Sequence, residues 1–160
     1  MVKTLVLVRH GDAEGKGPAG DIGRRLSDEG RSALEAAYPA AFKPLRDATS
    51  LALWASPAIR AMQTAAVIAD ALGLGEGDID VRDSLYEQDQ EEFFAELAQA
   101  SEEVIVAVGH VPFMRHVAHD LVGPGGGFSK GEVRAIGFEG DGLTGDLTIH
   151  FIVPYFCLIL

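Results

Sequence analysis

Short apolar runs alternate with segments of helical periodicity along the chain, and this alternation limits the folds that the sequence can adopt. Residues 2–8 and 104–108 are rich in Val, Leu and Ile, which is typical of strands buried on both faces of a sheet. Residues 51–55 and 79–82 predict two further strands, and segments with apolar residues at helical spacing separate the runs. We therefore expect an α/β fold, a three-layer α/β/α sandwich around a mainly parallel sheet.

The two C-terminal strands of the predicted sheet are joined by a short turn and not by a helix. Residues 133–138 and 147–153 read as strands, and Asp141-Gly142 between them is a turn sequence typical of hairpins. Since a short turn joins antiparallel neighbours, the sequence predicts an antiparallel C-terminal strand or hairpin beside the parallel strands.

Capping residues predict where two helices begin. Ser27, followed by two acidic residues, predicts the N-cap of a helix that runs to about Ala40. Ser56-Pro57 predicts a second cap, with proline at the first helical position, for a helix that stops at Gly73. Residues 84–89 are predicted as a loop before a third helix.

Length and charge narrow the classes of partner. The 160 residues fit one domain, 1–160, and 48% apolar residues suffice for a core. The net charge of −11 argues against nucleic acid or an anionic membrane as a partner, because both are bound through clustered cations. An anionic substrate must therefore be bound at one local site.

The single cysteine, Cys157, leaves no intramolecular disulfide and fits a reducing compartment, so we expect a cytoplasmic protein. No apolar run approaches the length of a membrane span. The apolar tail 157–160 is interpreted as a strand or tail buried against the core or a second subunit. The oligomeric state and the source are open from the sequence.

Three polar motifs directly follow predicted strands: Arg9-His10-Gly11, Ser56-Pro57 with Arg60, and Gly109-His110. Because ligands of parallel sheets bind beyond the carboxyl ends of the strands, these motifs are expected to converge. Guanidinium groups bind phosphate oxygens in bidentate fashion, and a neutral imidazole is a nucleophile for phosphorus. The motifs together predict a phosphoryl-transfer site with His10 as the nucleophile and its pKa lowered by the neighbouring cations.

The sequence also contains candidate residues for proton transfer and for metal binding. Glu87, after a predicted strand, is the first candidate for the proton donor, and Asp12 beside the nucleophile is the second. His116 and His119 have the spacing of two metal ligands on one helix face, but no third ligand has suitable spacing. We therefore expect no metal site.

The ordered motifs resemble those of the histidine phosphatase superfamily, also called phosphoglycerate mutase-like, and the resemblance covers nearly the whole chain. They are Arg9-His10-Gly11, Leu26-Ser27-x-x-Gly30, Ser56-Pro57-x-x-Arg60, Leu85-Tyr86-Glu87 and Gly109-His110. The short chain is most similar to the SixA-like phosphohistidine phosphatase branch. The resemblance implies a phosphoglycerate mutase-like fold without a cofactor.

The resemblance also implies roles for single residues. His10 matches the histidine that is transiently phosphorylated, and Arg9, Arg60 and His110 match the rest of the phosphate pocket. Arg24 is similar to a further basic residue of the pocket in the small branch, although Arg25 beside it leaves the register open. Glu87 matches the proton donor of the mutases.

The sequence thus predicts a metal-independent phosphatase that works through a phosphohistidine on His10, with protein phosphohistidine as the substrate. A small phosphorylated metabolite is the alternative substrate. A phosphoglycerate mutase-type phosphotransferase and a non-catalytic phosphate-binding module are the alternative functions.

Overall fold

The computed structural model describes residues 1–138, and within that range five strands form one mixed sheet in the order β3-β2-β4-β1-β5. The strands are β1 Thr4–Arg9, β2 Leu51–Ala55, β3 Ile79–Val81, β4 Val104–Gly109 and β5 Val133–Gly137. The helices are α1 Asp28–Ala41, α2 Ile59–Leu72, α3 Asp83–Glu87, α4 Gln90–Gln99 and α5 Phe113–Val122. Short 3-10 turns lie at Lys43–Leu45 and Glu76–Asp78.

The pairing of the strands confirms the predicted mixed sheet. β1, β2, β3 and β4 are joined by parallel pairs, whereas β5 runs antiparallel to β1. The second predicted strand of the C-terminal hairpin, its turn and the apolar tail lie outside the described residues.

Alternate residues of β1 point to opposite faces of the sheet, and both sets are buried. Val6 and Val8 pack in the core beside α1 and α2, while Leu5 and Leu7 pack in the core beside α4 and α5. Each such side chain contributes about 1.5 to 3 kcal/mol when it is fully removed from water. The sheet is therefore covered on both faces, and the predicted three-layer sandwich is confirmed.

The carboxyl ends of three strands are level with one another. Arg9 at the end of β1 pairs with Gly109 at the end of β4, and the backbone N–H of His10 continues this pairing by donating to the Gly109 carbonyl at 3.0 Å. The Ser56 N–H in turn donates to the Val108 carbonyl at 3.0 Å. The residues that follow β1, β2 and β4 thus leave the sheet side by side.

The first turn of α1 packs closely against the segment after β1. Ser27 caps α1 as predicted, since its Oγ accepts the N–H of Gly30 at 3.0 Å. A Cβ at position 30 would lie 2.4 Å from the carbonyl oxygen of Asp12. This contact leaves no room for a side chain, so the motif Leu26-Ser27-x-x-Gly30 lets α1 press against the loop that carries the nucleophile candidate.

Two local predictions were wrong. α2 begins at Ile59 with Ala58 as its N-cap, so Ser56 does not cap the helix and Pro57 precedes it. The Oγ of Ser56 is bonded to a histidine of the site instead, as described below. The predicted loop 84–89 contains most of α3, a short helix ending at Glu87.

Among residues 1–138, no helix combines the length and the apolar character needed to cross a membrane.

Candidate active site

The structure brings together the four residues that the strand-end motifs predicted. Arg9 ends β1 and His10 follows it, His110 follows β4, and Arg60 is the second residue of α2. The ring centroids of His10 and His110 are 5.1 Å apart, although 99 other residues separate them in the sequence. The level strand ends place both imidazoles at the same edge of the sheet.

Hydrogen bonds assign the tautomer of His10. Its Nδ1 lies 2.7 Å from the carbonyl oxygen of Gly11, and since a carbonyl only accepts, Nδ1 has the proton. The Nε of Arg60, which only donates, lies 3.3 Å from Nε2 of His10. The lone pair of His10 is therefore on Nε2 and points toward the Arg60 guanidinium.

Burial and neighbouring cations keep His10 neutral. Burial is the largest cause, and the charges of Arg60, Arg9 and Arg24 add to it; together they outweigh the bond to Gly11 and lower the pKa of His10 to about 4. The imidazole is thus unprotonated at neutral pH, as a nucleophile requires.

His110 has the opposite tautomer. Its Nδ1 faces Nη2 of Arg60 at 3.3 Å and must accept, so Nε2–H donates to Oγ of Ser56 at 2.7 Å. Ser56 is fully buried and also accepts the N–H of Ala58 at 3.3 Å. Burial, followed by the proximity of His10 and Arg60, lowers the pKa of His110 to about 3. Both imidazoles therefore coexist in neutral form.

Arg60 connects the two histidines to Asp21. Its Nη1 donates to the backbone carbonyl of Asp21 at 2.7 Å, and its Nη2 donates to Oδ2 of the same residue at 3.0 Å. Its Nε and Nη2 also face the imidazoles of His10 and His110. Because the guanidinium is planar and its donors are fixed, these bonds determine its orientation.

Arg9 supplies a second cation. Its Nη1 donates to the carbonyl of Phe128 at 2.8 Å, and its buried Nε has no hydrogen-bond partner within residues 1–138. Two guanidinium groups beside a neutral imidazole can neutralise the oxygens of a phosphoryl group while nitrogen attacks phosphorus.

A cavity of about 440 Å³ opens over these groups. Its described lining consists of Arg9, His10, Asp21, Arg60, Tyr86, Gln88, His110 and Val111. Sequence reasoning missed Asp21, Tyr86 and Gln88 as site residues. The position of Asp21 inside the Gly-rich loop after β1, three residues before Arg24, was a signal that could have identified it.

The two candidate proton donors lie elsewhere. Glu87 is exposed at the end of α3 and does not line the cavity, whereas its neighbours Tyr86 and Gln88 do. The carboxylate of Asp12 accepts hydrogen bonds from Lys130 and from Oγ of Ser27, and these bonds lower its pKa. Asp12 is also outside the lining.

Arg24 does not line the cavity, but it contacts a residue that does. Its Nε donates to the carbonyl of Glu14 at 2.8 Å, and its Nη1 lies 3.4 Å from Oδ1 of Asp21. It therefore acts on the described site through Asp21 and through its charge. His116 and His119 are exposed on α5, and no group of three potential metal ligands occurs among residues 1–138.

Solved structures with the same fold include several phosphatases. The chain is similar to a proposed phosphohistidine phosphatase SixA from Agrobacterium tumefaciens, at 23% identity and a TM-score of 0.74, covering 86% of this chain and 92% of that one. It is similar to the protein histidine phosphatase SixA complexed with tungstate, at 20% identity and a TM-score of 0.66, covering 83% and 86%. A mycobacterial glucosyl-3-phosphoglycerate phosphatase matches at 16% identity and a TM-score of 0.62, covering 84% and 90%.

No curated protein sequence gives a significant match to the chain. The model of one protein family, the histidine phosphatase superfamily (branch 1), matches residues 5–94, which is more than half of the chain. That segment contains three of the four clustered basic residues, Arg9, His10 and Arg60, and the fourth, His110, joins them in space. The chain therefore belongs to the histidine phosphatase superfamily.

Proposed function

We propose that this protein is a phosphatase that removes the phosphoryl group from phosphohistidine on a protein, through a phosphorylated His10. The observation that carries the proposal is the state of His10. It is a buried neutral imidazole whose Nδ1–H donates to the Gly11 carbonyl and whose Nε2 lone pair faces a guanidinium in a cation-lined cavity.

In the first step, Nε2 of His10 forms a bond to phosphorus while the bond from phosphorus to the substrate breaks, and its electron pair goes to the leaving atom. The proton stays on Nδ1 and is donated to the Gly11 carbonyl, so the positive charge that develops on the ring is partly neutralised there. In the second step, water attacks phosphorus and the electron pair returns to Nε2. Phosphate is released.

The basic side chains stabilise the phosphoryl group during both steps. Phosphoryl transfer depends mainly on positioning and on neutralising the equatorial oxygens. Arg9 and Arg60 provide this charge, and the 3.3 Å contacts from Arg60 to the imidazoles are long enough to be exchanged for phosphate oxygens. Neutral His110, held by Ser56, accepts from Arg60 through Nδ1 and so positions the guanidinium beside the phosphoryl group.

Two considerations favour phosphohistidine over other substrates. Transfer from a phosphorylated imidazole to His10 replaces one phosphorus–nitrogen bond with another of the same kind, so the first step needs little driving force. The shared fold with SixA phosphatases also supports this substrate. The fold shared with the glucosyl-3-phosphoglycerate phosphatase favours a small phosphorylated metabolite as the second candidate.

The proposal includes metal independence, because two guanidinium groups supply the charge that a divalent cation would otherwise provide. It also includes a cytoplasmic location, which rests on the single cysteine of the sequence. A chelator should leave the activity unchanged, and vanadate should inhibit it.

The test is phosphoryl trapping on His10. Wild type, His10→Ala and the exposed control His116→Ala are mixed with a ³²P-phosphohistidine protein, and the reaction is quenched with base. We expect label on wild type and on the control but none on His10→Ala, whose kcat/KM should fall by about a thousandfold or more. Label or full activity in His10→Ala would contradict the mechanism. Faster turnover of sugar phosphates or nucleotides than of the phosphoprotein would favour the metabolite.

A further inference from the structure

Asp21 is the acidic residue among the described residues of the cavity lining. Its Oδ2 accepts from Nη2 of Arg60 at 3.0 Å, and its Oδ1 lies 3.4 Å from Nη1 of Arg24. The side chain of Asp21 is 37% exposed, whereas that of Arg60 is 6% exposed. The carboxylate therefore lies between the buried guanidinium and the mouth of the cavity.

The carboxylate of Asp21 is ionised at neutral pH. Burial favours the neutral acid, but the hydrogen bonds and charges of Arg60 and Arg24 outweigh it and lower the pKa. The nearby His110 is neutral and donates its ring proton to Ser56. An ionised carboxylate accepts hydrogen bonds and has no proton to give. Asp21 is thus an acceptor at the mouth and not a general acid.

The position of His10 determines where the leaving group departs. In-line displacement places the leaving group on the side of phosphorus opposite the attacking Nε2. His10 is only 8% exposed, so the attack comes from the buried side and the leaving group departs toward the mouth. There it meets the more exposed wall that contains Asp21.

Leaving groups differ in their need for an acid. When the second ring nitrogen of a phosphohistidine has a proton, the electron pair of the breaking phosphorus–nitrogen bond produces a neutral imidazole, and no further proton is needed. An ester instead releases an alkoxide or phenolate, whose negative charge develops beside the Asp21 carboxylate. The carboxylate attracts the first kind of leaving group and repels the second.

From this arrangement we propose that Asp21 is a specificity-determining residue, which accepts the ring N–H of the departing imidazole and disfavours phosphate esters. The inference rests on the proposed function and names the chemical property of the substrate that the site selects. Neither candidate proton donor, Glu87 or Asp12, lines the cavity. A departing imidazole needs no proton donor, so this choice of substrate is consistent with a site whose lining carboxylate is ionised.

The experiment compares two substrates in matched variants. A phosphohistidine peptide and p-nitrophenyl phosphate are assayed with wild type, Asp21→Asn, Asp21→Glu and Asp80→Asn, a control in which an exposed carboxylate near Arg82 is removed far from the site. We expect Asp21→Asn to lose about five- to tenfold more kcat/KM for the peptide than for the ester, because the lost contact is partly exposed and any loss through Arg60 affects both substrates equally. Asp21→Glu should keep the preference for the peptide, and Asp80→Asn should match wild type.

The outcomes separate this inference from the proposed function. Equal losses on both substrates in Asp21→Asn would mean that the residue only positions Arg60, and would overturn the inference. A folded Asp21→Glu that loses the preference as fully as Asp21→Asn would also overturn it. A wild-type protein that cleaves p-nitrophenyl phosphate but leaves the phosphohistidine peptide intact would overturn the proposed substrate itself.

Discussion

The inner part of the cavity and its rim are built in different ways. The inner part consists of His10, Arg60 and His110, which are at most 8% exposed and are joined to one another by hydrogen bonds. The rim consists of Asp21, a loop residue, together with Tyr86 and Gln88 from α3 and its C-terminal cap. Two strand ends and the first turn of α2 position the inner part, whereas a loop and the short helix α3 position the rim.

This difference separates chemistry from selectivity within one small site. The inner residues hold each other in one arrangement, so removing one of them disturbs its partners as well. The rim residues are more exposed, so changing them should alter the choice of substrate before it alters the reaction. Four predictions test this division, from the largest expected effect to the smallest.

Arg60→Ala should have the largest effect. The change removes the donor that faces Nε2 of His10, the donor to His110 and both bonds to Asp21. We expect kcat/KM to fall by about a thousandfold, or roughly 4 kcal/mol of transition-state stabilisation. Arg60→Lys should restore little of it, because an ammonium lacks the planar set of donors. Steady-state kinetics with the surface variant Arg31→Ala as control will check this, and rescue by lysine would contradict the account.

Acidification should reduce both activity and stability through the inner histidines. Since the pKa of His10 is lowered to about 4, kcat/KM should fall about tenfold per pH unit below that value. The unfolded chain takes up protons on these histidines near their ordinary pKa of about 6.5, whereas the folded protein resists protonation until about 4 for His10 and about 3 for His110. The free energy of unfolding should therefore fall as the pH drops from about 6.5 toward 4.

Urea unfolding at several pH values measures the free energy of unfolding. The carboxylates titrate equally in wild type and in a histidine variant, so the difference between the two proteins gives the contribution of the histidine. His10→Gln should show a shallower loss of stability with acid than wild type, while the exposed control His116→Asn should match wild type. Identical slopes for wild type and His10→Gln would show that His10 is not neutral in the folded protein.

Ser56→Ala should have an intermediate effect. The change leaves Nε2–H of His110 without its acceptor in a buried position, which costs about 1 to 3 kcal/mol of stability. We expect kcat/KM to fall about tenfold, because His110 loses its orientation. Thermal unfolding and kinetics beside the exposed control Ser101→Ala will test this. A variant as stable and active as wild type would mean that His110 is held by other contacts.

Glu87→Gln should have the smallest effect. Glu87 is exposed and does not line the cavity, so kcat/KM should stay within about twofold of wild type on the phosphohistidine peptide. Gln88→Ala is the matched comparison on the rim, and it should alter KM more than Glu87→Gln does. A large loss of kcat in Glu87→Gln would contradict this prediction and support Glu87 as the proton donor.

The same division explains what could be predicted from the sequence. Arg9 ends the apolar strand β1, and His10 and His110 directly follow β1 and β4. Parallel strands align their carboxyl ends whatever the intervening sequence is, so the sequence alone predicts that these three residues lie together. Arg60 was also found, although the helix that contains it begins two residues later than predicted. Ser56 was misinterpreted as a cap, because its partner His110 is distant in sequence and close only in space.

The rim could not be predicted, because its geometry depends on contacts between loops and on rotation about a short helix. One residue along a helix turns the side chain by about 100°, so Glu87 and its neighbours in α3 point in different directions. Gln88 ends that helix in the left-handed conformation, with φ of 59°, and its Oε1 accepts the N–H of Phe113. Asp21 is held at the cavity by its hydrogen bond from Arg60, and no local sequence pattern in the loop predicts this contact.

The pairing of Arg9 with Gly109 across β1 and β4 has a consequence for how activity arises during folding. The two imidazoles meet only after the chain has closed a loop of about a hundred residues, which is a slow, non-local event compared with helix formation. During synthesis, a nascent chain has no complete inner site until residue 110 has left the ribosome. The return of activity in a refolding experiment therefore reports the formation of the central sheet and is expected to lag behind the recovery of helical signal.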